Sequence, residues 1–244
     1  MSRGPASPDW AALPTLIAAV LLATAVSAPV RMGWIDPAPG LVLAGVPVLR
    51  ALLEGLGPLL VALQLLWRDP LARRPMSLAG RRPWQALGMA AVVPPAFAIA
   101  GAFNGQAAAA ALVGATTLSY CLMEESAWRG VLFNRLSGWR STPRALAIGA
   151  GWYLWHLSFL APDATWTREL AVLAALLGGS LLLDRLAGRT GAVMTVACAH
   201  LLVNVLAFNP LAAILSPGQR LGVALLCVIA WGWLLRRRTR PAVA

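Results

Sequence analysis

The sequence predicts an all-α, polytopic membrane protein with about eight transmembrane helices in one bundle around an intramembrane polar cavity. Three observations predict it. The 244-residue chain is 59% hydrophobic and only 12% charged, where soluble domains run about 45–50% apolar and about 25% charged. The apolar residues fall in blocks of roughly 18–25, the length that crosses a hydrocarbon core as a helix. The basic side chains sit between those blocks. A soluble enzyme, a disordered chain and a disulfide scaffold are poor fits to this pattern.

The net charge of +11 does not indicate nucleic-acid binding. Every basic residue is Arg, and all but Arg50 and Arg129 are grouped in short loops or at helix ends, where membrane topology places such residues. Cys121, Cys198 and Cys227 lie in separate apolar blocks with no C-x-x-C pattern, so small buried side chains are the expected reading. Trp10–Val26 followed by Val26-Ser27-Ala28 has some likeness to a signal peptide, but only Arg3 precedes it as a basic side chain. A retained first helix is expected.

Taken in order, the expected spans are Trp10–Val30, Leu41–Trp67, Trp84–Phe103, Ala107–Leu136, Ala145–Leu160, Glu169–Leu186, Thr190–Ala207 and Arg220–Leu235. The second holds Gly45, Pro47, Gly55, Gly57 and Pro58, which predict a break or a late start; Pro94-Pro95 predict a kink in the third. The whole chain, 1–244, forms one transmembrane domain in this reading, with a motif-bearing core at about 107–207.

Arg68, Arg73, Arg74, Arg81 and Arg82 follow the second span. Arg135, Arg140 and Arg144 follow the fourth, Arg185 and Arg189 close the sixth, and Arg236, Arg237, Arg238 and Arg240 follow the eighth. The alternate loops hold only Arg31, Arg168 and Arg220. Because cytoplasmic loops collect Arg, the chain is expected in the cell (plasma) membrane with both termini inside.

Ionisable groups inside spans are costly and mark functional candidates. Glu124-Glu125, the only adjacent acid pair, falls within the fourth span, His156 within the fifth and His200 within the seventh. Glu125 and Arg129 are i, i+4 and can pair on one helix face. Glu124 is turned about 100° away and is left to act as a general base. His200 and Asn204 share a face by the same spacing. So do Trp152 and His156, with Trp152 expected chiefly as packing. Counted from the inner helix ends at 1.5 Å per residue, Glu124, His156 and His200 all lie roughly 15–18 Å deep. One joint site is therefore geometrically possible.

These three segments resemble the CPBP family of intramembrane proteases, which includes the type II CAAX prenyl endopeptidases and bacteriocin-processing or immunity proteins. The first motif, E-E-x-x-x-R, is matched by Glu124-Glu125-Ser-Ala-Trp-Arg129. The second, F-x-x-x-H, is matched by Trp152-x-x-x-His156, with Trp in place of Phe. The third, H-x-x-x-N, is matched by His200-Leu-Leu-Val-Asn204, after Thr190-Gly191.

The resemblance implies an endopeptidase that cleaves a membrane-associated or lipid-modified peptide or protein. Glu124 and His156 would activate water. His200 and Asn204 would donate to the oxyanion. Arg129 would hold Glu125. The implied site needs no cofactor. Zinc held by Glu124, His156 and His200 is the alternative, although the H-E-x-x-H pair of many zinc proteases is missing. The Trp at position 152 is expected to alter the pocket's shape rather than its proton chemistry.

The expected partners are membrane lipid and a peptide or membrane-protein substrate, with no nucleic acid. A non-proteolytic immunity or scaffold protein of the same fold is the competing function. A small transporter is less favoured, because no paired halves are visible. Elsewhere, Arg50 and Glu54 are expected to pair, with a gate or substrate contact as the other reading. Asp184 is expected to pair with Arg185 or Arg189, and Asn104 and Asn209 to be solvated.

Overall fold

The computed structural model describes residues 10–36, 42–68, 76–157, 164–208 and 210–236. Leu41, Leu160, Asn209, Arg3, Arg73, Arg74, Arg237, Arg238 and Arg240, all named above, lie outside the described residues. The helices are α1 (Leu13–Arg31, entered by a short 3₁₀ turn from Trp10), α2 (Val48–Arg68), α3 (Pro83–Ala102) and α4 (Ala107–Glu125). A π-helical turn (Ser126–Val131) continues α4 into the short α5 (Leu132–Arg135). Then follow α6 (Ser141–His156), α7 (Trp166–Thr190), α8 (Val193–Val203) with a second π-helical turn (Asn204–Phe208), and α9 (Pro217–Arg236).

The protein is a multi-pass integral membrane protein. Six described helices are long and apolar enough to cross a bilayer: Trp10–Arg31, Val48–Arg68, Pro83–Ala102, Ala107–Arg135, Trp166–Thr190 and Pro217–Arg236. Their outward faces carry Ile17, Leu21, Leu63, Leu87, Ile99, Leu182 and Ile229, all more than half exposed. In a soluble protein such a surface would aggregate.

Two expected spans, those bearing His156 and His200, are shorter helices. α6 has 16 residues, and the apolar helix through α8 covers Val193–Ala207. Most of α8 is buried among its neighbours, and a helix enclosed by protein has no bilayer thickness to match. The late start of α2 has a visible cause. Val42–Leu43 and Val46–Pro47 pair as an antiparallel hairpin. Its turn residues Ala44 and Gly45 both have positive φ, 50° and 78°, as the tightest hairpin turns require. The seventh span starts at Val193 rather than Thr190 because Gly191, at φ 65°, ends α7 in a left-handed cap.

Small residues let the helices approach closely. A Cβ on Gly57 of α2 would collide with the Ala23 backbone of α1, and one on Gly114 of α4 would reach the Phe97 ring at 2.8 Å. Ser180 Oγ of α7 donates to Ala145 O of α6 at 2.6 Å. The core has two halves. One centres on Trp128, Leu132, Ile148, Trp152 and Trp155, the other on Val93, Phe97, Cys121, Cys198, Leu201 and Trp231. Tyr120 and Leu122 of α4 pack against both, so α4 is the seam between them.

The helix ends sort into two ends of the bundle. At one end the start of α3, the end of α7, the start of α8 and the end of α9 meet around Arg81, Arg82, Arg189 and Leu235. At the other, Gln219 Nε2 at the start of α9 donates to Ala100 O in α3 at 2.9 Å. Asn104, expected to be solvated, is exposed there but donates to Ile214 O at 3.0 Å. The first end carries Arg68, Arg81, Arg82, Arg135, Arg140, Arg144, Arg185, Arg189 and Arg236; the second carries Arg31, Arg50, Arg168 and Arg220.

Asp184 does not pair with Arg185 or Arg189. Arg144 of α6 reaches it through Nε and Nη2, 2.8 and 2.9 Å from the two carboxylate oxygens. The next residue along a helix is turned about 100° away, and the fifth about 140°. Asp184 faces α6, and its helix neighbours do not.

Candidate active site

α4 delivers the two carboxylates at its last turn, both fully enclosed. Directly after them the backbone widens into the π-helical turn, a departure frequent at functional sites. Ser126 Oγ bonds back to Leu122 O at 2.7 Å, satisfying a carbonyl at the transition. Arg129, inside the wide turn, points back and donates from Nη1 to Glu125 Oε1 at 3.1 Å, with both side chains buried. His200 of α8 brings Nδ1 within 2.8 Å of the same oxygen. Glu125 is therefore shared by a guanidinium and an imidazole.

Glu124 has different company. Trp152 Nε1 donates to its Oε2 at 2.9 Å. Tyr120, one turn earlier on α4, also hydrogen-bonds it. Trp152 was expected as packing, and it is packing as well. Its ring lies over the Arg129 guanidinium, with Cζ 4.4 Å from the ring centroid, and meets the His156 and His200 rings edge-on at 5.4 and 5.0 Å. One indole touches Glu124, Arg129, His156 and His200. The substitution of Trp for Phe thus adds a donor on the carboxylate, which corrects the expectation that it alters shape alone.

His156 closes α6. Its Nδ1 lies 2.9 Å from Trp152 O, one turn back. A carbonyl can only accept, so Nδ1 carries the proton, and a neutral imidazole keeps its lone pair on Nε2. Asn204 sits where α8 gives way to the second π-helical turn, and its Nδ2 donates to Cys121 Sγ at 3.2 Å.

Glu124, Trp152, His156, His200 and Asn204 all line one cavity of about 980 Å³. Glu125 and Arg129 lie behind it in the protein. Arg50 and Glu54 do pair, Nε to Oε1 at 3.2 Å, and they line the cavity too.

Arg31 was counted as a loop charge, and the structure corrects this. It is the last residue of α1, half-buried in the cavity wall. Its Nη2 donates to Tyr120 Oη and to Glu54 O, both at 3.3 Å, and Nη1 donates to Trp155 O at 3.4 Å. Its Cζ stacks 3.5 Å from the Trp155 ring centroid. Arg31 and Tyr120 were missed as site residues. Tyr120 had a signal, its i, i+4 spacing to Glu124. Arg31, 89 residues from Tyr120 in sequence, had none.

Among the described residues, no group of three His, Cys, Asp or Glu side chains is placed to hold a metal ion. As placed, Glu124, His156 and His200 form no such group.

Fold and site together define a helical membrane protein with a buried carboxylate–histidine centre inside the bundle. Residues 106–206 match the family model described as Rce1-like, type II CAAX prenyl endopeptidase. The matched segment runs from the start of α4 into the second π-helical turn and contains all three motifs. At the level of the family the match supports an intramembrane endopeptidase. No curated protein matches the chain.

Proposed function

We propose that the protein hydrolyses a peptide bond of a membrane-associated or lipid-modified peptide or protein within the membrane, using a water activated by Glu124 and His156 and no metal. The carrying observation is that Glu124, His156, His200 and Asn204 line a single cavity large enough for a peptide segment. Glu124 takes one proton from the water as its oxygen attacks the carbonyl carbon. His156 Nε2 accepts the water's other hydrogen and fixes its direction. The carbonyl π electrons move onto oxygen, giving a tetrahedral oxyanion.

His200, whose Nδ1 lies 2.8 Å from Glu125 Oε1, donates Nε2–H to that oxygen. Asn204 donates the amide hydrogen not directed at Cys121. Preorganised donors of this kind supply a large share of the stabilisation in acyl transfer. Glu124 then passes its proton to the amide nitrogen, the C–N bond breaks, and an amine and a carboxylic acid leave. Arg129 acts behind the site by holding Glu125 and stacking on Trp152. The protein sits in the plasma membrane with both termini in the cytoplasm, in line with the arginine bias.

The test is cleavage of a transmembrane reporter peptide by detergent-purified protein, with Glu124→Ala as the decisive variant. An endopeptidase loses cleavage with its melting curve unchanged. Retention of biological function by folded Glu124→Ala would favour the immunity or scaffold role instead.

A further inference from the structure

We propose that the cavity takes its substrate from the non-cytoplasmic side of the membrane, so that the cleaved bond belongs to a peptide segment presented outside the cytoplasm. The proposal deepens the endopeptidase reading and rests on it. Three observations carry it.

Apart from Glu124 and the two histidines of the proposed catalytic centre, the charged part of the cavity wall lies at one end of the bundle. Arg31 ends α1, Arg50 and Glu54 lie in the first two turns of α2, and Arg168 and Glu169 lie in the first turn of α7. Along α7 toward the opposite end, the wall turns apolar through Leu176, Leu183 and Leu186. The hydrated mouth is therefore at the end of Arg31, Arg50 and Arg168.

Among the described residues, the cavity lining does not reach the opposite end. The segment Met76–Arg81 lies across the α7–α8 turn as a strap. Ser77 N donates to Gly191 O at 3.0 Å, Val193 N to Ser77 O at 3.0 Å, Met194 N to Leu78 O at 3.0 Å, and Arg81 N to Thr190 O at 3.1 Å. Gly80, at φ +67°, is pressed so close to Ala192 that a Cβ would meet it at 2.5 Å. Beside the strap, the buried Arg144–Asp184 pair ties α6 to α7. A chain entering from this end would have to break the strap.

The strapped end is also the arginine-rich one. Segments rich in Arg stay in the cytoplasm, so the open mouth faces away from it. The substrate this geometry fits keeps its polar end in outside water and lays an apolar stretch along α7. A tail anchored from the cytoplasmic face meets only the strap and the ion pair.

The experiment uses intact bacterial cells expressing the full chain with one added cysteine, Arg168→Cys at the mouth or Arg189→Cys at the strapped end. The native cysteines are buried, and the unsubstituted chain reports their background. A membrane-impermeant maleimide should label Arg168→Cys in intact cells and Arg189→Cys only after lysis. The reverse pattern, equal labelling of both in intact cells, or an Arg168→Cys that stays unlabelled after lysis would each overturn the proposal. A second arm adds an impermeant peptide to proteoliposomes sorted by orientation. Cleavage is expected only with the mouth outward. Cleavage with the mouth inward overturns the access side and leaves the protease intact. Absence of cleavage in both orientations, with the labelling as expected, sinks the protease reading and leaves the access side standing.

Discussion

The indole N–H of Trp152 donates to Glu124 Oε2 at 2.9 Å while the face of the same ring covers the Arg129 guanidinium. Glu124 and Glu125 are neighbours in sequence but sit in separate networks. Trp152 is the side chain that touches both, since Arg129 belongs to Glu125. The spacing of this indole to the two histidine rings makes it the centre of the site rather than its lining.

Trp152→Phe keeps an aromatic ring in place and removes the donor. A hydrogen bond to a charged group is worth about 1.5–3 kcal/mol. In the proposed reaction, kcat should fall by roughly ten- to a hundredfold, with little change in KM or melting temperature. Steady-state cleavage and a thermal melt of the two purified proteins check it. An unchanged kcat would show that the bond does not hold the reactive carboxylate.

Arg31 and Tyr120 are expected to act on Glu124 as positioning residues. Tyr120 Oη accepts from Arg31, which directs its own proton to Glu124. Tyr120→Phe and Arg31→Gln should each lower kcat by roughly tenfold through loss of one such hydrogen bond. The double variant should cost little more than either single one, as expected for groups in one chain. Arg31→Lys, which keeps the cation but not the fork, should recover part of the loss. Full additivity in the cycle would show that the two act separately.

What the sequence made legible was local. The apolar blocks located the helices, and the i, i+4 rule paired Glu125 with Arg129 and Arg50 with Glu54. It could not reveal partners on other helices. Asp184 has two arginines close behind it in the chain, yet bonds to Arg144, 40 residues away, because a helix turns its near neighbours to other faces. The role of Trp152 was hidden for a related reason. A Trp at that spacing packs in either case, and only the crossing of α6 with α4 decides whether its N–H meets a carboxylate. The hairpin before α2 is two residues per strand, too short for any periodicity.

The Arg144–Asp184 pair should matter for stability and not for turnover. Both residues are buried, the geometry is two-pronged, and the Phe133 ring lies under the guanidinium at 3.9 Å. Removing one partner strands a buried charge, at a cost on the order of 3–5 kcal/mol. Asp184→Ala should therefore melt well below the parent. Replacing both, as Arg144→Met with Asp184→Leu, should regain most of the loss, since apolar substitutes of similar size often match a buried pair. Thermal melts of the single and double variants decide it. A double variant no better than Asp184→Ala would mean the pair supplies more than charge balance.

Glu124→Gln and Glu125→Gln should fail in different ways although the residues are adjacent. Glu125 faces Arg129 at 3.1 Å and His200 Nδ1 at 2.8 Å, with no solvent exposure. Removing its charge leaves the fully buried Arg129 unneutralised, a loss on the order of 3–5 kcal/mol by comparison with other broken buried pairs. Because His200 shares the same oxygen, the variant should also lose the orientation of that ring. Glu125→Gln is therefore expected to express poorly or melt early, and whatever fraction folds should cleave slowly. Glu124→Gln leaves the Glu125–Arg129–His200 cluster untouched. Its amide can still accept from Trp152 through its oxygen, but it cannot take a proton from water. It should melt like the parent and lose turnover by about 10²-fold or more, the usual weight of a general base. Melting curves and cleavage rates of both variants, measured side by side in detergent, separate the roles. A stable but inactive Glu125→Gln beside an active Glu124→Gln would reverse them and move the base to the carboxylate paired with Arg129.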